Sequence, residues 1–256
     1  MASKKNWIPS AVDTYHRLTR SYFFGLLIIL VPLLIYESSS ALAYQGDRTV
    51  LRNAAELMIK RTFWYFGLRQ SWMYWFIYAA ILGWAYWLAK KDHLLALQFP
   101  YFPYAIFESL FYALSLSTII HLISRSIVIE FLSAWTNGIE AGLGERMALA
   151  LGAGIYEELL FRFGFLGVLL YFFQKTWPVV PFVHKLLAVT ISAALFSVFH
   201  YWSGREAVTA DSFYYRFYAG IVLGALYLWR GLGVAVYTHA FYDLLLVFQR
   251  PPSTIN

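Results

Sequence analysis

Along most of this chain apolar residues run on without the alternation a strand would need, and polar residues collect in short stretches between the runs. Several runs approach the roughly 20 residues with which a helix crosses hydrocarbon. They are Ser21 to Tyr36 with its continuation, Ser71 to Ala89, Tyr104 to Ile123, Met147 to Phe173, Pro181 to His200, Phe213 to Trp229 and Leu232 to Phe248. A membrane barrel would instead show period-two alternation. The pattern therefore predicts an all-α polytopic membrane helix bundle with about six to eight transmembrane helices. Residues Met1 to Arg20 read as a polar cytoplasmic or interfacial tail. Between the first two spans, Leu51, Ala54, Ala55, Leu57, Met58 and Phe63 are set among Arg52, Lys60 and Arg61, which predicts an amphipathic helix lying in the interface. Breaker clusters place loops at Lys90 to Pro103, around Trp177 to Pro181, at Trp202 to Asp211 and at Arg250 to Asn256.

Composition supports this reading. The chain is 60% hydrophobic and 13% charged, against roughly 25% charged in soluble domains. An integral, multi-pass protein is expected, in the plasma (inner) membrane if the source is bacterial. The first run follows Arg17 and Arg20 but offers no small-residue cleavage site, so it reads as an uncleaved helix. The net charge of +6 suits basic membrane flanks, and no motif supports a nucleic-acid partner. Basic residues lie on both sides of the first run, so the positive-inside rule does not orient the chain. The absence of cysteine excludes disulfides, cysteine-protease chemistry and thiolate metal sites. Trp64, Tyr65, Trp72, Tyr74, Trp75, Trp84, Tyr86 and Trp87 read as interfacial anchors. Gly138 with Gly142, and Gly220 with Gly224, have the spacing of close helix packing. We expect one structural unit in two parts, N-terminal membrane helices and the interfacial helix over 1–135 wrapped around a helical core over 136–256.

The candidate chemistry stands in the apolar runs. GIYEELLFRFGFLG, Gly154 to Gly167, holds Glu157, Glu158 and Arg162. Ionisable groups are costly in hydrocarbon and mark functional sites by default. Glu158 and Arg162 are spaced i, i+4 as a helical pair, which reads as support of a site, and Glu157, unpaired locally, must find a partner elsewhere in the bundle, meet water in a cavity or sit protonated. His200 ends one apolar run, and His239 and Asp243 share a helix face in another. Glu108 and His121 also lie in an apolar run and read as helix-bridging or cavity-lining. His16, His93 and His184 lie near run ends and read as interfacial.

The ordered set EELLFR, FSVFH (Phe196-xxx-His200) and HAFYD (His239-xxx-Asp243) resembles the CAAX protease and bacteriocin-processing (CPBP, or Abi) family of intramembrane glutamic endopeptidases, related to type II CAAX prenyl endopeptidases. The resemblance covers about Gly138 to Phe248. It implies a metal-independent, cofactor-free hydrolase in which Glu157 and His200 activate a water and His239 stabilises the oxyanion. The family's fourth residue is usually asparagine, and here it is Asp243. An ionised aspartate only accepts hydrogen bonds, so Asp243 would either orient His239 through its other ring nitrogen or donate when protonated. The implied partners are the bilayer and a membrane-associated peptide or protein, lipidated or cut near its C-terminus. Two alternatives stay open: a metal-dependent membrane protease with Glu157, His200, His239 and Asp243 as ligands, and a non-enzymatic immunity, scaffold or transport-accessory protein.

Overall fold

The computed structural model describes residues 11–44, 52–91, 100–123, 142–178, 180–202 and 208–248. All of its regular elements are helices: α1 (Ala11–Thr19), α2 (Tyr22–Tyr44), α3 (Ala54–Tyr65), α4 (Ser71–Lys91), α5 (Tyr101–Ile123) and α6 (Leu143–Gly152). Two π-helical stretches follow, Ala153–Glu157 and Leu159–Leu166, then α7 (Gly167–Thr176), α8 (Pro181–Phe199), α9 (Ala210–Arg230) and α10 (Leu232–Phe248). The all-α membrane bundle is the observed architecture. Among the described residues α2, α5 and α8 are long and apolar enough to cross a membrane. Their outward side chains, such as Phe107, Phe111, Leu122 and Phe182, are exposed and apolar, as hydrocarbon contact requires.

α10 is the hub. It packs against α2, α5, α6, the first π-helical stretch and α9, and it buries Leu232 to Val236, Thr238 to Ala240, Tyr242, Leu246 and Val247. Its entry is set by Gly231, at φ +92, where an added Cβ would lie 2.2 Å from the Thr19 carbonyl oxygen. Only glycine takes that turn without strain. Pro32, inside α2, cannot donate to the carbonyl of Ile28 four residues back. The Tyr237 hydroxyl from α10 donates to that oxygen instead, at 3.1 Å. Freed backbone groups inside a membrane bundle are satisfied in this way.

Several expectations need correction. Residues 11–19 are not a tail but a helix, anchored by the buried Leu18 and Thr19. The loop expected to run to Pro103 ends earlier, because α5 starts at Tyr101 and a proline is tolerated in a first turn. α3 docks by a polar face: Glu56 is fully buried, while Leu57, Met58, Trp64 and Tyr65 point outward. A helix facing only water would be the other way round, and the outward apolar side chains suit contact with a membrane interface. Gly142 is the N-cap of α6 and an added Cβ there would meet nothing within 4 Å, whereas Gly220 and Gly224 do pack closely, against Ala193 and Val189 of α8. Gly138 and His93 lie outside the described residues, as does the side chain of His121.

Candidate active site

Glu157 and Glu158 stand where α6 runs into π-helical winding. A π-turn holds more residues than an α-turn and is frequent at functional sites. It is braced here from outside, because Ser192 of α8 donates to the Phe161 carbonyl at 2.8 Å. Gly154 lets the stretch lie directly on α10: a Cβ at that position would come within 2.6 to 2.8 Å of Cβ, N and Cα of Ala240. That crossing sets Glu157 and Glu158 beside His239.

Glu158 is fully buried between two partners. Its Oε1 is 2.8 Å from Arg162 Nη1 and 2.8 Å from His239 Nδ1. Arg162 is itself buried, stacks over the Phe196 ring at 4.5 Å and donates through Nη2 to the Gly220 carbonyl at 3.4 Å. The pair thus joins the π-helical stretch to α8, α9 and α10. Its geometry corrects one expectation for Asp243. The ring nitrogen that Asp243 was to orient is held by Glu158, and Asp243 Oδ2 faces the opposite nitrogen, Nε2, at 3.6 Å.

Glu157 finds partners on three other elements. Asn53, the N-cap of α3, donates from Nδ2 to Glu157 Oε1 at 2.9 Å. The second carboxylate oxygen, Oε2, lies 3.7 Å from His200 Nε2 and 3.8 Å from His239 Nε2. His200 is oriented by its own helix: its Nδ1 is 2.8 Å from the Phe196 carbonyl, which can only accept. The proton of a neutral ring therefore sits on Nδ1, and Nε2 faces Glu157 as an acceptor. The Phe196 ring meets both imidazoles edge-on, at 4.7 Å to His200 and 6.0 Å to His239. Side-chain exposure rises from 7% at Glu157 to 19% at Asp243 and 25% at His200, so the cluster opens on that side.

Separations of 3.6 to 3.8 Å are too long for direct hydrogen bonds and fit polar groups that share a small molecule between them. Among the described residues no group of three or more His, Asp or Glu side chains is arranged to hold a metal ion.

Two residues of this region went unpredicted. Asn53 lies in an ordinary helix-start pattern, where nothing local signals a second role. Arg216 of α9 is buried, lies over the Tyr201 ring at 5.5 Å, and its charge acts on Asp243 and His200. A cation in an apolar helix was the available signal for it.

Two other polar clusters brace the bundle. Behind Asn53, Glu56 accepts from Tyr36, Arg52 and Lys60, while Glu37 takes Lys60 at 3.1 Å and the Tyr156 hydroxyl at 2.5 Å. Burial works against the charge of Arg52, but the Glu56 and Glu37 carboxylates outweigh it and hold its proton more tightly than usual. At the start of α5, Glu108 forms a two-pronged pair with Arg230 of α9, Nε to Oε1 at 2.6 Å and Nη2 to Oε2 at 2.7 Å. Tyr15 and Tyr112 donate to the same carboxylate, and His16 Nδ1 meets Arg230 Nη1. Burial, then the Glu108 carboxylate, pushes the Tyr15 hydroxyl well above its ordinary value. Glu108 is thus helix-bridging, with Arg230 as its partner. His184, expected at the interface, is buried and bonds the Trp177 carbonyl at 2.9 Å across the turn into α8.

Neither the curated proteins nor the solved structures gave a match to this chain. Residues 140–245, the segment that carries Glu157, Glu158, Arg162, His200, His239 and Asp243, match the family model for type II CAAX prenyl endopeptidase, Rce1-like, so that this part of the chain is similar to the Rce1-like membrane proteases.

Proposed function

We propose that the protein is an intramembrane glutamic endopeptidase that hydrolyses a peptide bond in a membrane-tethered substrate, a lipidated C-terminal tail being the class that the matched family's description supports. One observation carries the reading. Glu157 Oε2 and His200 Nε2 are two acceptors 3.7 Å apart, with the His239 Nε2 edge 3.8 Å from the same oxygen. A water bound between Glu157 and His200 gives one hydrogen to each acceptor and keeps its lone pairs for attack. Glu157 takes the proton as the water oxygen bonds to the scissile carbonyl carbon. His239, in its imidazolium form, keeps Nδ1–H on Glu158 and offers Nε2–H to the oxyanion. Glu157 then returns its proton to the amide nitrogen, the C–N bond breaks, and a carboxylic acid and an amine form, the acid giving its proton to the amine so that a carboxylate and an ammonium group leave. Asp243, on the Nε2 side of His239, faces the reacting atoms rather than the back of the ring.

The test is cleavage of a prenylated C-terminal peptide by the purified protein in liposomes. Glu157→Gln keeps size and hydrogen bonding but cannot take a proton, and should lower turnover by about 10²-fold or more. Near-parental turnover in that variant would overturn the glutamic mechanism. Activity should persist in phenanthroline. Loss there, restored by zinc, would assign the same side chains to a metal.

A further inference from the structure

Among the described residues outside the segment matched to the family, Asn53 reaches the cluster. Asn53 belongs to α3, which precedes that segment by some length of chain, yet its amide nitrogen donates to Glu157 Oε1 at 2.9 Å. The other end of the amide is spoken for. Asn53 Oδ1 accepts from the Ala55 backbone N–H at 2.8 Å, closing the first turn of α3 with the extended backbone of an N-cap (φ −63, ψ 140). The Ala55 N–H can only donate, so the oxygen must face it, and the NH2 group has no choice but to face the carboxylate. Helix capping thus fixes which way the amide points.

α3 is in turn held rigidly. Glu56, Lys60 and Arg52 tie it to Tyr36 and Glu37 of α2, and Ala55 is fully buried. The result is a fixed donor presented to one oxygen of Glu157, leaving Oε2 for the two imidazoles.

We infer that Asn53 is a positioning residue for the Glu157 carboxylate, and that the N-terminal helices complete a reaction centre whose other members all lie in residues 140–245. This rests on the proposed role of Glu157 as the base. Free rotation about the last side-chain bond would let either oxygen, or neither, address the gap between His200 and His239. A single hydrogen bond on Oε1 removes that freedom.

The experiment separates capping from positioning. Serine and aspartate both cap helices about as well as asparagine, but serine cannot reach Glu157, and aspartate presents a second carboxylate in place of a donor. Asn53→Ser should melt with the parent and lose about 10- to 100-fold in kcat/KM, the scale of one hydrogen bond to a charged group. Asn53→Asp should move the acid limb of the pH–rate profile to higher pH, since a carboxylate beside Glu157 favours its protonated form. The charged or titratable groups around Glu157, namely His200, His239, Glu158, Arg162 and Asp243, stay unchanged in that comparison.

A second readout does not depend on turnover. The infrared carboxylate band that disappears in Glu157→Gln should shift in frequency in resting Asn53→Ser protein. That shift reads the hydrogen bond even if Glu157→Gln proved active and the glutamic mechanism fell. An unshifted band, or parental kcat/KM in Asn53→Ser, overturns the inference. Loss of activity that only tracks loss of melting temperature, with the acid limb fixed, would reduce Asn53 to a helix cap.

Discussion

Single residues in this cluster are distinguished by which atom of a neighbour they address. His239 is gripped at Nδ1 by Glu158 and faced at Nε2 by Glu157 and Asp243. Asp243 is therefore not needed to hold the ring, and an asparagine there still presents an oxygen, with an added N–H toward the oxyanion. Asp243→Asn should keep activity within about tenfold of the parent, and Asp243→Ala should lose about 10²- to 10³-fold, the scale of one oxyanion-site group. Steady-state kinetics on both variants checks this. An inactive, folded Asp243→Asn would show that the carboxylate itself takes part, as a proton carrier or a ligand. The residue types were legible in the sequence because charge in an apolar run is rare. Their pairings were not: the i, i+4 spacing of His239 and Asp243 suggested an orienting pair, but that spacing cannot say which ring edge each neighbour occupies.

At the scale of elements, the informative feature is the π-helical passage from Ala153 to Leu166. Hydrophobic periodicity marked this stretch as helix without revealing the wider winding, since a change of a fraction of a residue per turn over a short, uniformly apolar run leaves no clear pattern. Its close crossing with α10 depends on Gly154, where backbone atoms of Ala240 occupy the space of a side chain. Gly154→Ala forces two backbones apart and should cost about 1 to 3 kcal/mol, the range for overpacking. Thermal melting in detergent would show it. Ala240→Gly in the same chain should rescue only partly, because it removes the Cβ contact and leaves those to N and Cα. A Gly154→Ala protein that melts with the parent would mean that the crossing is slack. α3 teaches a related lesson: its amphipathic pattern was visible, but which face turns inward depends on whether water or lipid lies outside.

For the whole molecule, stability is distributed between apolar packing around α10 and polar clasps that join helices distant in sequence. The Glu108–Arg230 pair, with Tyr15, Tyr112 and His16, binds α1, α5 and α9 at a position outside the proposed reaction centre. Arg230 is completely buried. Arg230→Ala should cost about 3 to 5 kcal/mol, because it strands a carboxylate without its counter-charge, whereas replacing both partners with apolar residues should cost much less. A double-mutant cycle on unfolding measures the difference. A loss in the double variant equal to the sum of the two single losses would show that the clasp is not coupled. The folded fraction should retain parental kcat throughout, since no member of the clasp touches Glu157 or its partners.

Composition and the length of the apolar runs were enough to specify a membrane-embedded helix bundle, because transfer of an unpaired backbone into hydrocarbon leaves few alternatives. The rare ionisable residues inside those runs likewise marked where polar clusters, the candidate site among them, were to be sought, since each carries a desolvation cost that needs a partner. Only the tertiary structure decided how they combine. It passed the grip on His239 to Glu158, turned Asp243 toward the other ring edge, and paired Glu108 with Arg230. It also brought Asn53 from α3 onto Glu157 across a long separation in sequence. Such contacts are set by the crossings of helices, and a crossing depends on the shapes of both partners at once, which a reading along one chain segment does not contain.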